Sequence, residues 1–199
     1  MLAAAWVALA GCGASGGGEP SASDGRFAVA EALPAGLAGR AAPHIRLADA
    51  RGGTFDTRSL AGRPYLVTFL YANCPDVCPL IGSQLRETLE QLRGDARRVA
   101  VVAVSVDPRG DTPATVRTWL RRQREPRQFH YLLGTERSLA PVWRAWYAAP
   151  QIQGDPESAH TAIVWLVDAQ GRLAAKVAAG RPFSASGLAR DVRSLLSSA

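Results

Sequence analysis

Apolar residues in this chain fall into short blocks with two different periods. Residues 64–71, Pro-Tyr-Leu-Val-Thr-Phe-Leu-Tyr, form a β-branched and aromatic run that predicts a buried strand. A second continuous run, Val99-Ala100-Val101-Val102-Ala103-Val104 within residues 98–106, has the composition of a central parallel strand covered on both faces. Between them, Ile81, Leu85, Leu89 and Leu92 recur at helical spacing and predict a helix over 78–92, with Pro79 at its first position. Thr112 and Pro113 read as an N-cap and first residue, and Val116, Trp119 and Leu120 line the helix that follows. A short strand over 130–133, a helix over 138–147, and strands over 160–167 and 172–178 around a turn at 168–171 come next. Ser184 caps a last helix presenting Leu188, Val192, Leu195 and Leu196. Near the start, 45–48 and 54–57 flank Asp-Ala-Arg-Gly-Gly and predict a hairpin.

Strand, helix, strand, helix, then β-hairpin and helix is the order of an α/β, thioredoxin-like fold. It implies a central mixed sheet flanked by helices, here with an added N-terminal β-hairpin and a middle insertion. The folded domain is expected over 43–199. Residues 12–42, rich in Gly, Ala, Ser and Pro, read as a flexible tether. At 199 residues and 47% hydrophobic content, the chain can bury one sizeable core. Its net charge is +6, and 22 of its 23 basic residues are arginine. These are scattered through predicted helices and turns and read first as solvated surface, with attraction to an anionic membrane or an acidic partner as the functional alternative. Charge alone does not argue for nucleic acid.

Three cysteines carry the candidate chemistry. Residues 2–10 are nine apolar residues ending in Leu9-Ala10-Gly11-Cys12, too short to span a bilayer but suited to a signal peptide over 1–11. That ending resembles the lipobox of bacterial lipoproteins, in which the cysteine is diacylated and becomes the mature N-terminus. The likeness implies a lipid anchor on Cys12 and a place at the cell membrane, facing the extracytoplasmic side. No basic residues precede the apolar run, a departure from the usual leader.

Cys74 and Cys78, in Cys-Pro-Asp-Val-Cys-Pro, fall at the predicted strand-to-helix turn. A helix N-terminus favours negative charge, so lowered thiol pKa values are expected there, and thiolates bind soft metals and attack disulfides. Across one helical turn their Cα atoms would lie about 6 Å apart, which suits either a shared metal or a disulfide. Two buried structural cysteines are the bland alternative. Asp76 between them reads as a turn-former, His44 and His130 as surface or core histidines, and Trp143, Trp146 and Trp165 as core or edge aromatics.

The run Phe69-Leu70-Tyr71-Ala72-Asn73-Cys74-Pro75-Asp76-Val77-Cys78-Pro79 resembles the signature of the Sco/SenC family, membrane-tethered thioredoxin-fold copper proteins. Ser105-Val106-Asp107-Pro108-Arg109-Gly110-Asp111-Thr112-Pro113 and His160-Thr161 resemble two further family segments, in the same order along the chain. The resemblance implies one copper ion, Cu(I) or Cu(II), held by Cys74, Cys78 and His160. It also implies a role in assembling the binuclear copper centre of cytochrome c oxidase, with subunit II or a copper-supplying chaperone as partner. Ala159 departs from the aspartate that the family often carries before the histidine. Two thiolates and an imidazole suit copper, and a set without a fourth protein ligand argues against a closed structural zinc site.

The resemblance also implies that Asp107 and Asp111 lie near the copper loop, shaping partner docking or tuning the thiols. Their alternative is ordinary turn and cap chemistry. A second function fits the same fold, that of a thiol–disulfide oxidoreductase keeping the cysteines of the oxidase subunit or of other extracytoplasmic proteins reduced. That reading has no use for His160 as a ligand. A peroxidase would need Thr at the position of Tyr71.

Overall fold

The structure, a computed structural model, describes residues 27–150, 162–180 and 182–198. In chain order the strands are β1 (Arg46–Asp49), β2 (Thr54–Asp56), β3 (Tyr65–Leu70), β4 (Ala100–Ser105), β5 (Phe129–Leu133), β6 (Ile163–Val167) and β7 (Leu173–Ala178). The helices are α1 (Val77–Leu92), α2 (Pro113–Arg122), α3 (Glu136–Ala145) and α4 (Ala185–Ser197). The strands form one sheet in the order β2-β1-β5-β4-β3-β6-β7. β3, β4 and β5 run parallel, and β6, β7, β1 and β2 each pair antiparallel with their neighbours. This is the thioredoxin-like arrangement expected from the element order, with the N-terminal hairpin extending one edge.

Every residue of β3 and β4 is buried, as their continuous apolar runs require of strands covered on both faces. Registered partners share a face, so Thr68, Ala103 and Tyr131 point to one side and Phe69 to the other. On Tyr131's side, Trp119 of α2 packs edge-on against the Tyr131 ring, and α1 packs against α4. On Phe69's side, Trp146 at the end of α3 packs at a tilt against Phe69 and edge-on against Trp165. Trp143, Trp146 and Trp165 are core residues. Two helix starts follow their sequence signals closely: Thr112 caps α2 through Thr115 N–H, and Ser184 caps α4 through Gly187 N–H.

Some boundaries differ from expectation. α1 begins at Val77, so Pro79 is its third residue, where the missing N–H still removes no intrahelical bond. α3 begins two residues early because Thr135 caps it, and β6 begins at Ile163. The larger difference concerns 27–42, expected as part of a tether. Glu31 exchanges both backbone hydrogen bonds with Lys176, Gly39 and Arg40 bond Leu173, and Ala42 N–H reaches Gly171 O. The segment therefore covers the outer edge of β7, an edge that would otherwise expose unpaired backbone groups. Its start is fixed by Asp191 of α4, whose carboxylate accepts from the N–H groups of Ala28, Val29 and Ala30. Among the described residues, no helix is long and apolar enough to cross a membrane.

Candidate metal centre

β3 and β4 are parallel, so the loops leaving their C-terminal ends lie side by side. The first carries Cys74 and Cys78, and the second carries Asp107 and Asp111. Neither cysteine is in a disulfide, and Cys74 is 6% exposed while Cys78 is fully buried.

The thiols take part in the local hydrogen bonding. Cys74 N–H donates to Tyr71 O, closing the turn, and Cys78 N–H donates to the Cys74 sulfur at 3.3 Å. Cys74 thus serves an orphan donor of the first turn of α1. Asp76 stands at the N-cap position but makes no capping bond. The two thiols bond each other, and the Tyr71 hydroxyl bonds Cys74. That shared bond, followed by burial and the Cys74 charge, pushes the Cys78 thiol well above its ordinary value. The expected lowering at a helix N-terminus is therefore overturned for Cys78. Burial and a neighbouring sulfur outweigh the helix dipole, which acts most strongly on exposed or already charged groups. Burial and then the bond to Cys74 likewise raise Tyr71. Two sulfurs side by side suit a soft cation, which would have to displace both thiol protons to bind.

Asp111 ties the second loop to the first. One carboxylate oxygen accepts from Ala72 N–H at 2.7 Å, and the other from Ser105 Oγ at 2.6 Å and Tyr131 OH at 3.0 Å. Burial pushes its pKa up to about 6, against the opposing pull of those three donors. Asp107 folds its own turn, accepting from the N–H groups of Arg109 and Gly110. Gly110 must be glycine, because a Cβ there would sit 2.1 Å from the Asp107 carboxylate and 3.1 Å from Asn73 Nδ2. Trp143 Nε1 donates to Ser105 O at 2.8 Å, bracing β4's end from the other face. Asp107 and Asp111 do form turn structure, and Asp111 in addition positions the dithiol loop. Tyr71 and Tyr131 are participants that sequence reasoning missed. The available signal was a tyrosine at the end of a strand three residues before the first thiol.

His160, the third expected ligand, and Cys12, the expected lipidation site, both lie outside the described residues. Among the described residues, no three His, Cys, Asp or Glu side chains gather as a metal site. His44 pairs with Asp56 at 2.7 Å and His130 of β5 with Asp49 at 2.8 Å, so both are engaged by carboxylates of the N-terminal hairpin.

With this geometry in hand, comparison with known proteins is specific. The SCO1/SenC family model matches residues 37–197. A putative copper-binding protein of Stutzerimonas stutzeri is 30% identical over 162 residues, 79% of this chain and 78% of that protein. A SCO2-like protein of Rickettsia conorii is 28% identical over 136 residues, 64% of each chain. The structure of Bradyrhizobium japonicum ScoI with copper bound superposes with a TM-score of 0.67 at 30% identity, covering 79% of this chain and all of that one.

Proposed function

This chain belongs to the SCO1/SenC family, and from that premise we propose that it binds one copper ion through Cys74, Cys78 and His160 and delivers it to the binuclear copper centre of cytochrome c oxidase. The observation that carries this reading is the pair of buried, mutually bonded thiols at the first turn of α1, in a loop held by Asp111. Two sulfurs at the edge of a sheltered loop make a soft site for copper as cargo. Both thiol protons leave as the metal enters, so uptake is favoured by rising pH and release by reprotonation. Asp111 keeps Ala72, two residues before Cys74, in place while this happens. Under this reading the chain is anchored through a lipidated Cys12 on the extracytoplasmic side of the membrane, with oxidase subunit II or its copper-supplying chaperone as partner.

A second reading is thiol–disulfide exchange with the same partner. The mutual bond of the thiols favours it, since they are close enough to oxidise together. The raised Cys78 thiol counts against fast attack by that sulfur, because exchange proceeds through thiolate. The His160→Ala variant separates the two. Metal delivery requires the imidazole, whereas exchange does not. Terminal oxidase activity at limiting copper should fall in cells carrying only this variant, while the dithiol still titrates reversibly between its two redox states. Parental oxidase assembly in a variant shown to have lost metal binding would favour the reductase.

A further inference from the structure

The dithiol loop borders a surface of one sign. Residues 106–128 contain six arginines and three carboxylates. Arg109, Arg117, Arg121, Arg122, Arg124 and Arg127 are all exposed, whereas Asp107, Asp111 and Glu125 are all buried. The segment thus offers solvent no carboxylate to set against its guanidinium groups. Among the described residues, none of these six arginines takes part in an ion pair, in contrast to α1, where Arg86 pairs with Glu87 and Glu90.

The surface is continuous with the thiol loop at two points. Arg109 sits on the turn whose Gly110 packs against Asn73. A groove of about 360 Å³ runs between Ala72 and Asn73 on one side and Thr115, Thr118, Trp119 and Arg122 of α2 on the other. Beyond it, a second hollow is lined by Arg51, Arg117, Arg121 and Arg124, with Leu120 and the buried Glu125 also in its lining. Arg51 and Arg117 are held in place by backbone carbonyls: Arg51 by Phe129 and Glu125, and Arg117 by Ala50.

We infer that this face, from the Asp107–Asp111 turn along α2, is the docking surface for a protein partner whose own contact face is acidic, and that the docked partner lies across the Cys74 loop. Fixed arginines lose less side-chain freedom on binding than mobile ones, and clustered unpaired charge steers a partner of opposite sign into register. A protein fits better than a lipid surface, because the grooves accept protruding side chains and a bilayer seated here would shut the thiols away from any exchange. The purpose of such docking rests on the functional reading above, but the face itself stands on charge and geometry.

The test uses the full chain and two probes, fluorescein-labelled poly-L-glutamate for an acidic protein face and vesicles of phosphatidylglycerol with phosphatidylcholine for a membrane. An Arg109→Glu/Arg121→Glu/Arg122→Glu variant is compared with Arg58→Glu/Arg97→Glu/Arg190→Glu, which makes the same change in net charge elsewhere. Arg122→Glu alone serves if the triple variant does not fold. The parent should bind polyglutamate with an affinity that falls between about 50 and about 300 mM salt. The face variant should bind roughly tenfold or more weakly, and the control nearly as the parent. Bound polyglutamate should slow maleimide labelling of Cys74 and Cys78 in the parent and leave the face variant unprotected. Equal weakening in both triple variants would overturn the proposal in favour of net charge alone. Vesicle binding without polyglutamate binding, lost in the face variant, would overturn it in favour of a membrane. Copper uptake is read on the same samples. Its absence with the polyglutamate result intact would remove the functional reading and leave the docking face supported.

Discussion

Asp111 and Asp191 are both almost fully buried, 5% and 1% exposed, and both bond backbone amides far away in sequence, yet they serve different parts of the molecule. Asp191 accepts from three successive N–H groups and fastens 27–30 onto α4. Asp111 divides its oxygens between one amide of the dithiol loop and two hydroxyls of the sheet. The first arrangement fixes chain against chain. The second holds the dithiol loop to the sheet by a single amide, a weaker constraint that suits the metal uptake and release proposed above. Glu125 gives the limiting case, a buried carboxylate with no hydrogen bond to either oxygen among the described residues.

The comparison predicts a graded series. Asp191→Ala should cost the most, about 4 kcal/mol, because three amides lose their acceptor at once. Urea unfolding would read the loss, and limited proteolysis should then cut near residues 27–33. Copper binding should be unchanged, and a loss of it would mean that the two regions are not independent.

Glu125 should come next, through pH. Burial raises its pKa from 4.5 to about 8, opposed by Arg86 and Arg51. The fold therefore prefers the protonated acid. Its contribution is complete below the unfolded value near 4.5 and is lost as pH rises through about 8. Between those limits the parent should lose stability steadily as pH rises, and Glu125→Gln should flatten that slope. An unchanged slope in the variant would place the titration elsewhere.

Asp111→Asn should have the smallest effect on stability, about 2 kcal/mol, since the amide oxygen can still accept from Ala72 while the Ser105 and Tyr131 hydroxyls lose the oxygen they share. Its signature should be functional, a several-fold drop in copper affinity and faster alkylation of Cys74, read by competition with a chelator and by labelling kinetics. Full stability loss with copper affinity intact would reduce Asp111 to a turn residue.

Much of this was legible in the chain. β3 and β4 declare themselves by apolar runs that no amphipathic element could carry, and Thr112 and Ser184 mark their helices by chemistry confined to four residues. The dithiol was visible because its meaning lies in local spacing. What escaped depends on distant partners. The packing of 27–42 rests on Asp191 and on β7, more than a hundred residues away. Asp111 is read correctly only with Ser105, Ala72 and Tyr131 around it. The Cys78 thiol was misjudged for the same reason, because helix position is local and burial is not.

The central claim is that Cys74 and Cys78 together hold copper. It is tested most directly by metal analysis of the reduced protein after dialysis against copper, beside Cys74→Ala and Cys78→Ala. The account predicts about one equivalent in the parent, as a single two-thiolate site requires, and loss of most of it in each variant. Retention of parental affinity in both variants would contradict it.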